Sequence, residues 1–219
     1  MKPLARRIAA VALGAGVALT AVLGPTAAQA APAPLAQAAG SASTLLGSPS
    51  ADKLDVTGHR QATNYYCVPA SAQFILNSFG IPRHQSTLAD KMGTTKSAGT
   101  SGNAANKVIN AYINPKGYRI DTRSASNPTT LLSMVRYDIG TLHRAPYIGV
   151  WMEDLPWNKG KGYGNNTGHG IAVYGYNATK GTITVYDPWK PTGGPHTLTA
   201  KQLSAASQQN GGLHYISRI

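Results

Sequence analysis

Apolar positions along the chain follow two patterns, which change over near residue 140. Before it, spacings of three and four dominate. Ala70, Phe74, Ile75, Leu76 and Phe79 share one face of a helix predicted over Pro69–Phe79, with Pro69 suited to the first turn and Gly80 to the stop. The same period predicts helices over Ser86–Met92, Asn103–Ile113 and Thr129–Ile139. Beyond it, β-branched and aromatic runs bounded by Gly, Pro and Asn predict strands at Tyr147–Met152, Gly170–Tyr176, Thr182–Tyr186 and His214–Ile219. Helices followed by strands predict an α+β fold, its helical first half packed on an antiparallel sheet from the second half. The Gly-rich stretch Gly160–Gly168 reads either as a plain surface loop or as a rim or lid beside a site.

The first fifty residues carry neither pattern. Lys2, Arg6 and Arg7 precede the apolar stretch Ile8–Leu23, and Ala28-Gln29-Ala30 is a small-x-small cleavage signal, so residues 1–30 read as a secretory signal peptide cut near Ala30. The apolar run falls short of the roughly 20 residues that a spanning helix needs, so a secreted protein with no stable membrane span is expected. Arg6-Arg7 leaves the twin-arginine route open beside the general one. Residues 31–51 are mostly Ala, Pro, Gly and Ser, with Leu35 and a Leu45-Leu46 pair, too little apolar surface to offset ordering, and read as a linker or short pro-segment. Residues 52–219 are then a single domain, large enough to bury one core.

Charge narrows the partners. Taking Lys2, Arg6 and Arg7 from the 20 Lys and Arg leaves 17 against 8 acidic residues, a formal excess of about +9. These basic residues are scattered singly and lack aromatic RNA-binding signatures, so no nucleic acid is expected. Attraction to an anionic surface, such as an acidic cell-wall polymer, fits the excess.

The one cysteine excludes an internal disulfide and a Cys-rich zinc site. His59, His84, His143, His196 and His214 lack metal-ligand spacing and read as surface or loop residues, so neither metal nor cofactor is expected. An unpaired thiol in an exported protein invites oxidation, which gives Cys67 two readings. It is a small buried hydrophobe, or it is a nucleophile at a helix start, where the dipole lowers its pKa and the free N–H groups suit an oxyanion. Gln61, six residues upstream, is an exposed polar residue or a second oxyanion donor. His169 opens a strand between two glycines, as a structural histidine or as a rigid general base whose flanks leave room for a ligand. Asp187 ends the following strand. If the two strands pair through the Asn177–Gly181 turn it lies beside His169 and fixes its tautomer; otherwise it is a turn-forming Asp-Pro.

Gln61-x5-Cys67 within Tyr65-Tyr66-Cys67-Val68-Pro69-Ala70-Ser71, Gly168-His169 leading to Tyr174-Gly175-Tyr176, and Tyr186-Asp187-Pro188-Trp189 together resemble the papain-like cysteine peptidases. Among these the set looks most like the branch related to bacteriocin leader-processing peptidases. The resemblance covers most of 52–219 and implies that fold, a protein or peptide substrate and no cofactor. It assigns Cys67 as nucleophile, His169 as base and then acid, Asp187 as the orienting residue, and Gln61 with the Cys67 N–H as oxyanion hole. Two departures stand out. Val68 occupies a position that is usually Gly, and the Cys-Gly-Ser-Cys-Trp stretch and long inhibitory pro-region of plant and lysosomal relatives are absent. Two further functions fit the same residues: a cell-wall peptidoglycan peptide hydrolase, and a catalytically inactive binding protein on this scaffold, which Val68 keeps open.

Overall fold

A computed structural model of the protein describes residues 47–219 apart from 165, 208 and 209. The signal peptide expected at 1–30, and the expected linker as far as residue 46, lie outside the described residues. No helix among those described is long and apolar enough to cross a membrane.

A short strand β1 (Ala51–Lys53) leads through an extended segment to helix α1 (Cys67–Ser78), followed by α2 (Gln85–Met92) and α3 (Gly102–Ile113). Strand β2 (Tyr118–Arg123) and helix α4 (Pro128–Gly140) come next, then β3 (Tyr147–Trp151), β4 (Gly168–Asn177), β5 (Thr182–Asp187), β6 (Gly194–Thr199), helix α5 (Ala200–Ser207) and β7 (Leu213–Arg218). Local chemistry sets the ends: Ser101 caps α3 by accepting from the Ala104 N–H, Asn127 caps α4 from Thr130 with Pro128 behind it, and Gly93 closes α2 in the left-handed region. α1 begins at Cys67, two residues ahead of the Pro69 start expected. Pro69 still falls in the first turn, where a missing N–H costs no helical bond.

The strands form one antiparallel sheet in the order β2-β7-β3-β4-β5-β6, with β1 added beside β4 beyond the end of β3. Alternation along the strands feeds two cores. Ile148, Val150, Ile171, Val173, Ile183 and Val185 pack with Leu131, Val135 and Ile139 of α4 and Leu203 of α5. Tyr147, Ile120 and Ile216 pack with Ile75 and Leu76 of α1, Leu88 of α2 and Ile109 of α3. The fold is α+β as expected, but helices cover both faces, and the first half of the chain contributes β1 and β2 to the sheet.

The boundary expected at residue 52 falls inside β1. Ser48 is buried, its carbonyl accepts from Arg136 (2.5 Å), the Pro49 carbonyl accepts from the Tyr176 hydroxyl (2.7 Å), and the Ser50 carbonyl accepts from the Ala178 N–H (2.7 Å). Backbone groups make these contacts, which is why a reading of side-chain composition places the segment outside the domain.

β3 starts at Tyr147, opposite His214, so the N–H of Ile216 on β7 has no strand partner on that side. The carboxyl of Asp138 accepts it (3.3 Å); burial holds that carboxyl well above its ordinary pKa, and its second oxygen has no partner among the described residues. Because the folded pKa is raised, this group's contribution to stability is full below the unfolded value near 3.9 and is lost as pH rises through the folded value. Asp138→Asn is therefore expected to gain on the wild type by about 1 kcal/mol or more at pH 8, and by much less at pH 4. Urea unfolding at the two pH values measures this, and an equal difference at both would refute it.

Candidate active site

Three elements meet at one end of the sheet: the start of α1 with Cys67, the start of β4 with His169 and the end of β5 with Asp187. β4 and β5 pair antiparallel across the expected turn, with Ala172 opposite Tyr186, and His169 Nε2 donates to Asp187 Oδ1 at 2.7 Å. α1 is tied to β4 by a hydrogen bond from the Ser71 hydroxyl to the Gly170 carbonyl (3.0 Å). Tyr66, the N-cap of α1, supplies no side-chain acceptor, so the first-turn N–H groups are not used by the cap.

The electrostatics of the three groups are mutual. Burial pushes the half-buried Cys67 thiol up, but its interaction with His169 and the backbone N–H groups of Gly170 and Val68 outweigh this and lower its pKa. Burial pushes His169 down, yet its bond to Asp187 and its interaction with Cys67 raise it to about 10. Asp187 is 0% exposed, which pushes its carboxyl up, but donors from His169, the Trp189 backbone (2.8 Å) and the Trp157 indole (2.8 Å) hold it below its ordinary value. The arrangement favours a thiolate, an imidazolium and a carboxylate in a row. With Nε2 given to Asp187, the other ring nitrogen is the one available to Cys67.

Of the two glycines beside His169, Gly170 is the one that packing requires. A Cβ on Gly170 would lie 3.0 Å from Val68 Cγ2, and one on Gly168 would lie 3.5 Å from the Asn210 amide. Val68, after the cysteine, thus fits because position 170 has no side chain. Gly170→Ala is expected to cost about 1–3 kcal/mol by overpacking the start of α1. Adding Val68→Ala should return most of that loss, and a double-mutant cycle in urea reads the coupling; strictly additive losses would refute it.

Gln61 is buried, not an exposed polar residue. Its backbone N–H donates to the Pro188 carbonyl (2.8 Å), which sets it against the Asp187–Pro188 turn, and its amide nitrogen donates to the Thr63 carbonyl (2.7 Å). One amide hydrogen remains for another acceptor, and its carbonyl oxygen has no partner among the described residues. Gln85 holds this segment: its side chain accepts from the Ala62 N–H (2.8 Å) and donates to the Arg60 carbonyl (3.0 Å).

Sequence reasoning missed Trp157 and Gln85, and misplaced two histidines. His214 is buried on β7, its ring stacked on Tyr147 at 3.9 Å, Nδ1 bonded to Asn106 Oδ1 (2.7 Å); burial lowers its pKa to about 4. His196 lies in β6, its ring parallel to that of Trp157 at 3.8 Å. The signal for Trp157 was its type: a half-buried indole N–H needs an acceptor, even in a loop without hydrophobic period.

A model of the Peptidase_C39 like family matches residues 53–212. Among solved structures, a C39-like peptidase from Bacillus anthracis aligns at a TM-score of 0.56 with 16% identity, covering 77% of this chain and 97% of its own. Xylellain, a cysteine protease from Xylella fastidiosa, aligns at 0.55 with 12% identity over 81% of this chain and 89% of its own. A double glycine motif protease from an AMS/PCAT transporter, solved with its leader peptide, aligns at 0.52 with 14% identity over 77% of this chain and 95% of its own. At these identities the likeness speaks for the fold. No curated protein matches the sequence.

Proposed function

Because the chain belongs to the Peptidase_C39 like family and is a cysteine-type peptidase, we propose that it is exported and cleaves peptide substrates through Cys67, His169 and Asp187 by way of a thioester. The observation that carries this reading is the 2.7 Å bond from His169 Nε2 to buried Asp187, with Cys67 facing the same ring from a helix start.

The thiolate of Cys67 attacks the scissile carbonyl carbon, and the carbonyl π pair moves to oxygen. That oxyanion is met by the Cys67 backbone N–H and by the Gln61 amide hydrogen left over from Thr63. The oxyanion collapses to a thioester as the C–N bond breaks, and His169 gives its proton to the leaving amine. Water then attacks the thioester while His169 takes a proton, which releases the acid and restores the thiolate. Val68 does not oppose this course, since its backbone N–H supports the thiolate and its side chain is accommodated over Gly170. Export rests on the leader at residues 1–30. A peptide substrate is supported by the leader peptide bound to the double glycine motif protease.

A peptide panel that includes double-glycine sequences, and purified peptidoglycan beside it, tests the proposal under reducing conditions with and without iodoacetamide. Peptide cleavage that the alkylator abolishes is expected. Thiol-dependent solubilisation of peptidoglycan alone would replace this function with wall hydrolysis, and peptide binding without cleavage would replace it with a binding role.

A further inference from the structure

The segment between β3 and β4 lies across the Asp187–Trp189 turn and is fastened to it by two indole N–H groups pointing in opposite directions. Trp157 Nε1 donates to Asp187 Oδ2 (2.8 Å), and Trp189 Nε1 donates back to the Tyr163 hydroxyl (2.9 Å). Buried Asn158 accepts from the Thr192 hydroxyl (2.5 Å), and the Trp157 ring is stacked on His196. The Gly160–Gly168 stretch, read as a plain surface loop or as a rim or lid beside a site, is thus tied through Tyr163 to the turn that follows Asp187.

Asp187 has two oxygens and a fully buried side chain. Oδ1 accepts from His169 and from the Trp189 backbone, whereas Oδ2 accepts, among the described residues, from Trp157 alone. A buried carboxylate oxygen with no donor is costly, and that cost falls when the group takes up a proton or turns. We propose that Trp157 is a positioning residue for the reaction, its indole N–H satisfying Oδ2 of Asp187 so that Oδ1 stays directed at His169. The proposal rests on the assignment of Cys67, His169 and Asp187 made above. Other titratable or charged groups around Asp187 are His169 on β4, Tyr186 beside it on β5, Arg60 from the segment before α1, and His196 on β6 behind the indole.

Trp157→Phe keeps the ring over His196 and removes the one donor. The carboxyl then takes up its proton at higher pH, His169 loses its counter-charge there, and the thiolate is lost on the acid side. Iodoacetamide alkylation of Cys67, followed from pH 4 to 9, is expected to be at least about 5-fold slower than wild type at pH 5 and within about 2-fold at pH 8, an acid limb moved up by about 0.7 pH unit or more. His196→Asn should leave that limb in place. An unmoved limb in Trp157→Phe, a loss equal at every pH, or the same shift in His196→Asn would each overturn the proposal. If Trp157→Phe does not fold, the wild type decides by NMR: a slowly exchanging Trp157 indole proton whose shift titrates with the alkylation limb supports it, and a rapidly exchanging one overturns it. Alkylation needs no substrate. An ordinary thiol profile in the wild type defeats the catalytic assignment itself, whereas a low limb that Trp157→Phe retains defeats only the role of Trp157.

Discussion

Cys67→Ala is expected to reduce peptide cleavage by about 10⁴-fold or more, because the proposed mechanism forms its acyl intermediate on that sulfur. Cys67→Ser should not restore it: the neighbours that lower a thiol, His169 and the N–H groups of Gly170 and Val68, act on a hydroxyl that starts far less acidic. The wild type carries a matching pH signature. With the thiol lowered and His169 raised to about 10, the ion pair exists from below the ordinary thiol value near 8.5 up to about 10. Activity is therefore expected to rise as pH passes upward through the lowered thiol value and to fall as pH rises through about 10, where His169 loses the proton that the leaving amine requires. Rates of cleavage and of alkylation measured from pH 4 to 11 check both limbs. Alkylation that follows an ordinary thiol near 8.5 would defeat the ion pair.

Asp187→Asn comes next, with an expected loss of about 10³–10⁴-fold in kcat/KM and little change in KM. The side chain keeps its shape but exchanges a carboxylate that accepts from His169, Trp189 and Trp157 for an amide with a single accepting oxygen. A buried imidazolium loses its counter-charge, and the burial that pushes His169 down is no longer opposed by the carboxylate, so its pKa falls. The alkylation rate of Cys67 should fall with it, since an imidazolium no longer supports the thiolate at neutral pH. Unchanged alkylation with reduced cleavage would make Asp187 a residue of the transition state only, and unchanged rates in both would remove it from the site.

What the sequence revealed of this site follows from where each signal resides. Cys67, His169 and Asp187 were legible because each sits at the end of a strongly patterned element: α1 buries Phe74, Ile75 and Leu76, β4 is a continuous buried run from His169 to Tyr176, and β5 alternates through Ile183 and Val185. β2 was missed because only Ile120 of its six residues is buried and its charged residues read as loop. β6 was missed for its Gly194, Pro195 and His196, tolerable because it lies at the sheet edge, where a missing N–H is not needed. α5, Ala-Lys-Gln-Leu-Ser-Ala-Ala-Ser, presents small residues to the core and so lacks an obvious apolar face. His214 read as a surface residue because its burial depends on Tyr147, Asn106 and Thr122, which come from three other elements. The same holds for Trp157 and Gln85, whose roles are contacts with segments far away along the chain.

The place of β7 in the sheet bears on the order in which the scaffold assembles. It follows the other strands in chain order, yet it lies between β2 and β3, and among the described residues β2 pairs with β7 alone. The hairpin of β4 and β5 needs only local chain, as does α1, but the ladder through Ile216 and the stack of His214 on Tyr147 wait for the final residues. Pairing of the hairpin that carries His169 and Asp187 can thus precede closure of the sheet around it, so the His169–Asp187 bond is expected to form ahead of the β2–β7 ladder.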